Sequence, residues 1–373
     1  MNADVVVIGG GLVGAAIAYG LVRRNVHVLV IDGGDRDFRA TTANFGLVWA
    51  HGKGLDVPTY QQLSGEAVDL WPKFSAELTE TTGIDLQYEH NGGVKICFGE
   101  DEFERQLNRL KRLHNQLDGR YSAGEMLDRS GLSKLFPKVE FGPEVAGASF
   151  GPRDGHVNPL RLLMALNAAI IHNGGQVHGG NQVSTVVSDG DGGFIVSFGQ
   201  ERVHAAKVVI AAGLGTGALA AQLGLKIPVR PQRGQILVTE RLQPLLPLPM
   251  LDMRQTAEGT VMMGATHDDV GFDASTRVSS ASDLSREALR CIPALGQAHL
   301  VRQWAGLRIL TPDGSPIYAR SEMHPGVFVA VCHSGVTLAA LHCEDFANAV
   351  VTGHFSPSLK VFSERRFDVS KAA

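Results

Sequence analysis

Ala3-Asp4-Val5-Val6-Val7-Ile8-Gly9-Gly10-Gly11-Leu12-Val13-Gly14-Ala15-Ala16 is the stretch that decides the fold. Residues 5–8 form a continuous apolar run, as in a strand covered on both faces of a parallel sheet, and residues 12–24 have helical length. Gly9, Gly11 and Gly14 satisfy G-x-G-x-x-G between the two. The first glycine permits the tight turn, the second lets backbone approach a pyrophosphate, and the third lets helix and strand pack closely. The helix N-terminus adds unpaired N–H groups and a favourable dipole for an anion. A second buried run, residues 26–31, ends at Asp32, where a carboxylate can accept from both ribose hydroxyls. A purely structural glycine turn would not require that acid, so the unit reads as a dinucleotide site.

A second glycine turn stands near the other end of the chain: Gly326-Val327-Phe328-Val329-Ala330-Val331-Cys332-His333-Ser334-Gly335-Val336. It too is a buried strand that enters a helix through glycine. Between the two, helical patterns occupy 59–82 and 101–117, the latter strongly charged and solvent-facing. Residues 159–173 form a helix opened by Pro159 and closed by Gly174-Gly175. Strands are expected at 183–187, 193–197 and 202–210, and the last of these stops against Ala211-Ala212-Gly213. From 228 to 266, short alternating strands broken by proline or glycine give an antiparallel pattern. The expected fold class is therefore α/β plus α+β. A Rossmann-like cofactor-binding domain (1–82, 150–225, 305–373) is interleaved with a β-rich substrate domain (83–149, 226–304), and the ligand cleft lies between them.

Composition excludes several alternatives. The 373 residues can bury a large core, and 34 basic against 38 acidic residues leave a net charge of −4 without a long run of either sign. Neither nucleic acid nor a membrane surface is called for. Cys97, Cys291, Cys332 and Cys343 show no C-x-x-C pair or metal spacing and read as reduced thiols. No apolar run approaches the roughly 18 residues of a membrane span. The first strand begins at about residue 3, which leaves no room for a leader peptide, so the expected location is cytoplasmic with no direct membrane insertion. There is no G-x-S-x-G or H-E-x-x-H, and His267-Asp268-Asp269 reads as a loop, because adjacent side chains do not converge on a metal.

Three features favour FAD over NAD. The small, polar turn Arg39-Ala40-Thr41-Thr42-Ala43-Asn44-Phe45-Gly46 follows soon after Asp32 and is placed to run along a pyrophosphate. The 211–213 stop gives close backbone approach beside the nucleotide. The turn His333-Ser334-Gly335-Val336-Thr337 opens a helix whose N-terminus stabilises negative charge at a flavin ring. In a NAD-only dehydrogenase that last turn would have no purpose.

With these segments the chain resembles the D-amino-acid-oxidase-like family of FAD-dependent amine dehydrogenases and oxidases, which includes glycine and sarcosine oxidases. The resemblance runs through the Gly9 loop, Asp32, the 43–46 turn, the Pro231-Gln232-Arg233-Gly234-Gln235 turn, Ala305-Gly306-Leu307-Arg308, Thr311-Pro312-Asp313-Gly314 and the 333–337 turn. Asn44-Phe45-Gly46-Leu47-Val48-Trp49-Ala50-His51-Gly52-Lys53-Gly54 looks like the flavin-side segment of bacterial opine and D-hydroxyproline dehydrogenase β subunits.

The resemblance implies non-covalent FAD held by Gly9, Gly11, Leu12, Val13, Gly14, Asp32, Gly33, Thr42, Asn44, Phe45, Gly46, Leu47, Val183, Ala211, Ala212, Gly213, Gly306, Arg308, His333, Ser334, Gly335, Val336 and Thr337. It implies oxidation of a Cα–H bond beside an amine, with hydride passing to flavin N5. The substrate would be a D-amino acid, a hydroxyproline or an opine-like N-alkylated amino acid, and other subunits of an electron-transfer complex would take the electrons. Arg308 is the expected cation for the substrate carboxylate, its competing reading being a structural salt bridge. His51 is a candidate base, against a buried core histidine. Lys53 is a candidate cation for a carboxylate or for reduced flavin. At Leu251-Asp252-Met253-Arg254-Gln255, where relatives carry an aromatic and an arginine for substrate, only Arg254 is kept. Two other readings stand beside this one: a self-sufficient oxidase that makes peroxide, and a flavin-binding subunit kept for assembly.

Overall fold

The computed structural model describes residues 2–34, 40–121 and 124–368. β1 (Asn2–Ile8) enters α1 (Leu12–Val22) through the 9–11 turn, and the chain returns parallel to β1 as β2 (Val28–Ile31). α1 is apolar all round and is buried all round, because it lies beneath other helices instead of at the surface.

Next come β3 (Leu47–Val48), α2 (Pro58–Thr82), β4 (Gly93–Phe98), α3 (Gly99–Gln116), β5 (Glu125–Asp128), α4 (Arg129–Leu135), β6 (Val145–Gly151) and β7 (Gly155–His156). Proline opens α2, and Gly83, at φ 69°, ends it in the left-handed region. α5 (Pro159–His172) has Asn158 as its N-cap, the side chain accepting from the N–H groups of Leu160 and Arg161. β8 (Gln176–His178), β9 (Val183–Ser188), β10 (Phe194–Phe198), β11 (Glu201–Ile210) and α6 (Thr216–Ala221) lead to β12 (Arg230–Arg241), β13 (Met253–Gln255) and β14 (Thr260–Gly264). Then come α7 (Val278–Cys291), β15 (Leu300–Leu310), β16 (Ile317–Arg320), β17 (Val327–Val331), a C-terminal helix from Ala339 to Thr352 that passes through a π turn, His342–Phe346, and a last short helix, Pro357–Lys360.

One sheet runs β16-β17-β11-β1-β2-β8, with the β9–β10 hairpin added to β11. β1 is parallel to both β2 and β11, so the strand order reverses at its C-terminal end, where ligands of open α/β sheets bind. Helices α1, α2, α5 and the C-terminal helix cover one face in a core that includes Ile17, Trp71, Leu166 and Phe346, and Val186, Phe194 and Leu223 help to cover the other. A four-stranded antiparallel sheet, β13-β14-β12-β15, and a three-stranded one, β4-β6-β5, share a separate core around Val94, Phe136, Leu237 and Met263. The opposite side of the four-stranded sheet carries a small cluster, Ile236, Val238 and Met262, against which Phe45 and Trp304 pack.

Two local expectations change. Residues 231–235 are not a turn but part of β12, paired along its length with β15, Gln232 against Arg308 and Gly234 against Gly306. Pro231 is tolerated because β14 pairs with β12 only from Ile236 onward, which leaves Pro231 on an edge. Gly234 is needed for a close approach: a Cβ there would lie 2.7 Å from the Arg308 guanidinium. The seams expected at 149/150 and 304/305 fall within β6 and β15, whose ladders continue unbroken across those points.

The closest packing of β1 on α1 is at Gly14, where a Cβ would come within 1.9 Å of the Gly9 carbonyl oxygen. The neighbour is backbone, so the helix itself must move. Gly14→Ala is expected to destabilise the chain by about 2 kcal/mol, read as a fall in thermal midpoint; an unchanged midpoint would show that the helix shifts without cost.

Candidate functional site

The phosphate-binding end is built from glycines with different jobs. A Cβ at Gly9, where φ is +105°, would meet Ala211 O at 2.4 Å, so β1 and the 211–213 segment touch through backbone. At Gly11 a Cβ would meet only Thr41 Oγ1, at 3.1 Å, which keeps this glycine's Cα side clear of other backbone. The N–H of Leu12 donates to that same hydroxyl. Asp32 accepts from Gly10 N–H at 2.6 Å and from Gly34 N–H at 3.0 Å, so its carboxylate is aimed before any ribose arrives. Segment 178–182 lines the same edge: Asp32 N–H donates to His178 O, Asn181 N–H to Asp32 O, and Gln182 lies beside Gly33. Val183 is itself buried in the core, which leaves its backbone as the part available to a nucleotide. Thr42 is exposed at the next position along, and Arg39 lies outside the described residues.

The two glycine turns meet. A Cβ on Gly335 would lie 3.2 Å from Val13 Cγ2, so the C-terminal turn sits against the start of α1. From the other side the 47–53 segment is tied to it. Thr337 Oγ1 accepts from Trp49 N–H at 3.1 Å and from Lys53 Nζ at 3.2 Å, while Lys53 Nζ also donates to Ser334 Oγ at 2.9 Å. Tyr60 OH pairs with Ser334 Oγ at 2.8 Å, and Trp71 Nε1 donates to Thr337 O at 2.9 Å. Leu338 N–H then donates to Ser334 O, which begins the helical pattern that reaches Ala339. Val336 is buried.

Burial lowers the Lys53 pKa to about 8, although Asp154 and Cys332 pull it back up. Burial raises the Cys332 thiol to about 12, so it is not a nucleophile at neutral pH. His333 is exposed at this turn, and partial desolvation, then Lys53, Arg308 and His267, lowers the pKa of its ring.

The 43–46 turn bridges the two sheet systems. Asn44 Oδ1 accepts from Gly46 N–H, and Trp304 Nε1 donates to Ala43 O at 3.3 Å. Gly46, at φ +91°, lets the chain pass under Val157 O, which a Cβ would meet at 2.3 Å; Leu47 then pairs with His156. Arg254 is only 4% exposed and donates from Nε to Phe45 O. Its Nη1 meets His156 Nδ1 at 3.2 Å, and His156 Nε2 faces Glu89 at 3.5 Å. Arg254 therefore holds the turn and is not presented to a substrate.

Arg308 is presented differently. Its Nη1 donates to Thr266 O at 2.6 Å and Arg233 O at 3.3 Å, which leaves Nε and Nη2 without a partner among the described residues. Burial lowers its pKa, yet a guanidinium remains charged. It is not a structural salt bridge: Arg233, 1% exposed, takes that part with Asp268 at 3.1 Å and Asp273 at 2.8 Å. Gln235 is likewise structural, its amide bound to Gln303 and to the backbone of Arg277. Gly213, beside Ile309, and Gly306, opposite Gly234, sit where β15 passes the nucleotide end.

His51 departs from a base in contact with substrate. Its side chain is 2% exposed, stacked on Trp49 and facing Asp154, Nδ1 to Oδ2 at 3.4 Å. Asp154 Oδ1 accepts from the N–H groups of Ala50 and His51. A cavity of about 20 Å³ lies beside the pair and Lys53. Sequence pattern alone did not single out Thr41, Tyr60 or Asp154 as site residues. Thr41 stands inside the small polar turn after Asp32, but nothing local marks Tyr60 or Asp154.

The glycine cradle, the preset Asp32 and the C-terminal turn that holds Lys53 near the start of α1 fit an FAD, and the class this defines is a flavoprotein oxidoreductase. Comparison with known proteins agrees. The model of the DAO family, FAD dependent oxidoreductase, matches residues 4–349. The chain is 40% identical over 373 residues to an opine oxidase subunit of Agrobacterium tumefaciens (strain Ach5), covering 99% of each protein. It is 38% identical over 369 residues to the corresponding opine oxidase subunit of Rhizobium meliloti, again covering 99% of each. Its fold superposes on the crystal structure of glycine oxidase from Geobacillus kaustophilus with a TM-score of 0.87 at 26% identity, covering 97% of this chain and 98% of the other. The chain belongs to this family of FAD-dependent oxidoreductases, and it is an amino-acid or amine oxidoreductase.

Thr337→Val removes the acceptor for two donors at once. FAD affinity is expected to fall about tenfold, the loss of one hydrogen bond to a charged group, measured by titration of the apoprotein; unchanged affinity would mean that the clamp does not shape the site.

Proposed function

We propose that this chain oxidises the Cα–H bond beside the nitrogen of a secondary amino acid of the opine or hydroxyproline kind and passes the electrons to partner subunits. The observation that carries the reading is the Arg308 guanidinium, fixed over Gly234 by two backbone carbonyls with one edge left for a carboxylate. When bound, FAD supplies the two-electron acceptor for the hydride. Arg308 anchors the carboxylate through two parallel charge-assisted bonds, which orients the Cα–H bond. Lys53 and the first turn of the C-terminal helix favour negative charge on their side of the cleft. The buried His51–Asp154 pair positions Lys53 by fixing the loop that carries it. The electron pair left on the amine nitrogen completes a C=N bond, and water hydrolyses the imine where it is not cyclic.

A multi-subunit assembly is supported by both of these relatives being named as subunits of an opine oxidase. Among the described residues no helix is long and apolar enough to cross a membrane. A cytoplasmic enzyme is the reading consistent with this.

Anaerobic addition of octopine, nopaline, D-proline, cis-4-hydroxy-D-proline and sarcosine is expected to bleach the flavin band with at least one of them. Arg308→Met should raise the dissociation constant for that substrate about a hundredfold, the scale of a lost bidentate charged pair. A flavin that none of these reduces would leave a non-catalytic subunit. Stoichiometric peroxide from the isolated chain would show a self-sufficient oxidase instead.

Lys53 carries its charge below pH 8 and loses it above. The reduction potential of the bound flavin in Lys53→Met should therefore lie below that of the wild type at pH 7, and the gap should close as pH rises through about 8. A gap that does not change with pH would remove Lys53 from this role.

A further inference from the structure

Resting on Lys53 as the cation that answers negative charge in the cleft, we propose that a water held by His51 and Asp154 carries protons between Lys53 and solvent. The route runs behind the 50–54 loop instead of through the substrate cleft. His51 and Asp154 are then the positioning residues of a proton path.

Among the described residues nine buried side-chain nitrogen and oxygen atoms have no hydrogen-bond partner, and three of them are His51 Nδ1, His51 Nε2 and Asp154 Oδ2. The ring and the carboxylate face each other at 3.4 Å without the geometry of a hydrogen bond. Each such atom left unpaired costs about 1–3 kcal/mol. Gly151 makes the space for the pair, since a Cβ there would lie 2.4 Å from Asp154 Oδ2 and 2.7 Å from His51 Cβ. The adjoining cavity, about 20 Å³, is lined by both residues and by Lys53. One water needs roughly 10–15 Å³ of such space and two to four polar partners, so the site suits one.

Lys53 has the complementary need. An ammonium has three donors, and Nζ gives one to Ser334 Oγ and one to Thr337 Oγ1, which leaves the third without an acceptor among the described residues. Charged Lys53 donates that N–H to the water; neutral Lys53 accepts from the water through its lone pair. Burial brings both forms within reach, with a pKa of about 8. The groups facing Lys53 are Asp154 and Arg153 from the β6–β7 turn, Tyr60 from α2, Arg109 from α3, and Cys332 and His333 from the C-terminal turn, with His51 on its own loop.

Neither Arg308, His267 nor His333 lines the cavity, whose wall runs from buried Asp154 to exposed Pro152. Its mouth is pinned: Arg153 Nη2 donates to Gly65 O and Asp69 Oδ1, each at 2.7 Å, and the guanidinium lies over the Tyr121 ring. As negative charge develops in the cleft, neutral Lys53 gains a proton from the water. The N–H of the His51 ring replaces that proton, and solvent at the mouth returns one to the ring. The balance is one proton taken from solvent and one ammonium formed.

The test uses the holoprotein without any amine. A crystal structure at a resolution that orders solvent is expected to show a water within hydrogen-bond distance of Asp154 Oδ2 and a His51 nitrogen; a dry cavity would overturn the proposal. Flash reduction of the flavin at about pH 9, above the Lys53 pKa, is followed with a pH-indicator dye. Wild type is expected to take up close to one proton more than Lys53→Met. His51→Phe keeps an aromatic ring beside Trp49 but has no ring nitrogen. Its uptake should be as large and about a hundredfold slower, the low end of what a positioned proton-transfer group contributes. His51→Ala should be equally slow, with its rate restored by imidazole in solution. Wild-type speed in His51→Phe, or slow uptake in His51→Ala that imidazole leaves unchanged, would overturn the relay. Equal uptake in wild type and Lys53→Met would overturn it by removing Lys53 as the proton's destination. Because no amine enters the test, a flavin that amines never bleach would sink the oxidation reading and leave a positive result standing.

Discussion

The hydroxyl of Thr337 is the point on which the site depends. It lies between the Trp49 N–H and the Lys53 ammonium, and the same residue's carbonyl accepts from Trp71. A single threonine thus joins the C-terminal turn, the loop after β3 and helix α2. These are buried polar groups, and each would be costly to leave unpaired. The turn they fix sits against the first residues of α1 through Gly335 and Val13. Segments 288 residues apart in sequence thereby become one wall.

The same wall accounts for the electrostatics. Lys53 is drawn out of water by the contacts that orient it, which is why its pKa falls toward neutrality. The opposite wall belongs to the four-stranded sheet. There, Arg308 is pressed over Gly234 and tied to two carbonyls, while the neighbouring Arg233 carries the structural ion pairs. Two arginines adjacent on paired strands therefore do different work. Arg233 is enclosed by carboxylates, whereas Arg308 is held by backbone carbonyls, with no carboxylate paired to it among the described residues. That contrast supports reading Arg308 as a carboxylate clamp.

The βαβ unit, the FAD class and the ends of the main helices were legible from local pattern. Strand, turn and helix follow from apolar runs and glycine positions within a few residues, and the same pattern paired the Gly9 loop with the 333–337 turn, which lie against each other in the fold. Residues 231–235 were misread because proline and glycine ordinarily mark turns. In β12 the proline lies on an unpaired edge and the glycine makes room for a guanidinium, neither of which local sequence reveals. Arg254 and His51 carried chemistry by residue type, but burial placed one behind the 43–46 turn and the other against Asp154.

What the sequence determined by itself was the set of parts: a phosphate-binding turn, an acid for the ribose, a second glycine turn, and a β-rich insert. Tertiary structure decided which charges face the cleft. Whether an arginine or histidine meets a substrate depends on partners contributed by distant strands, and a side chain's burial is a property of the assembled walls. His267 shows this most plainly. Its ring is held by Gln232, which β12 brings from 35 residues upstream.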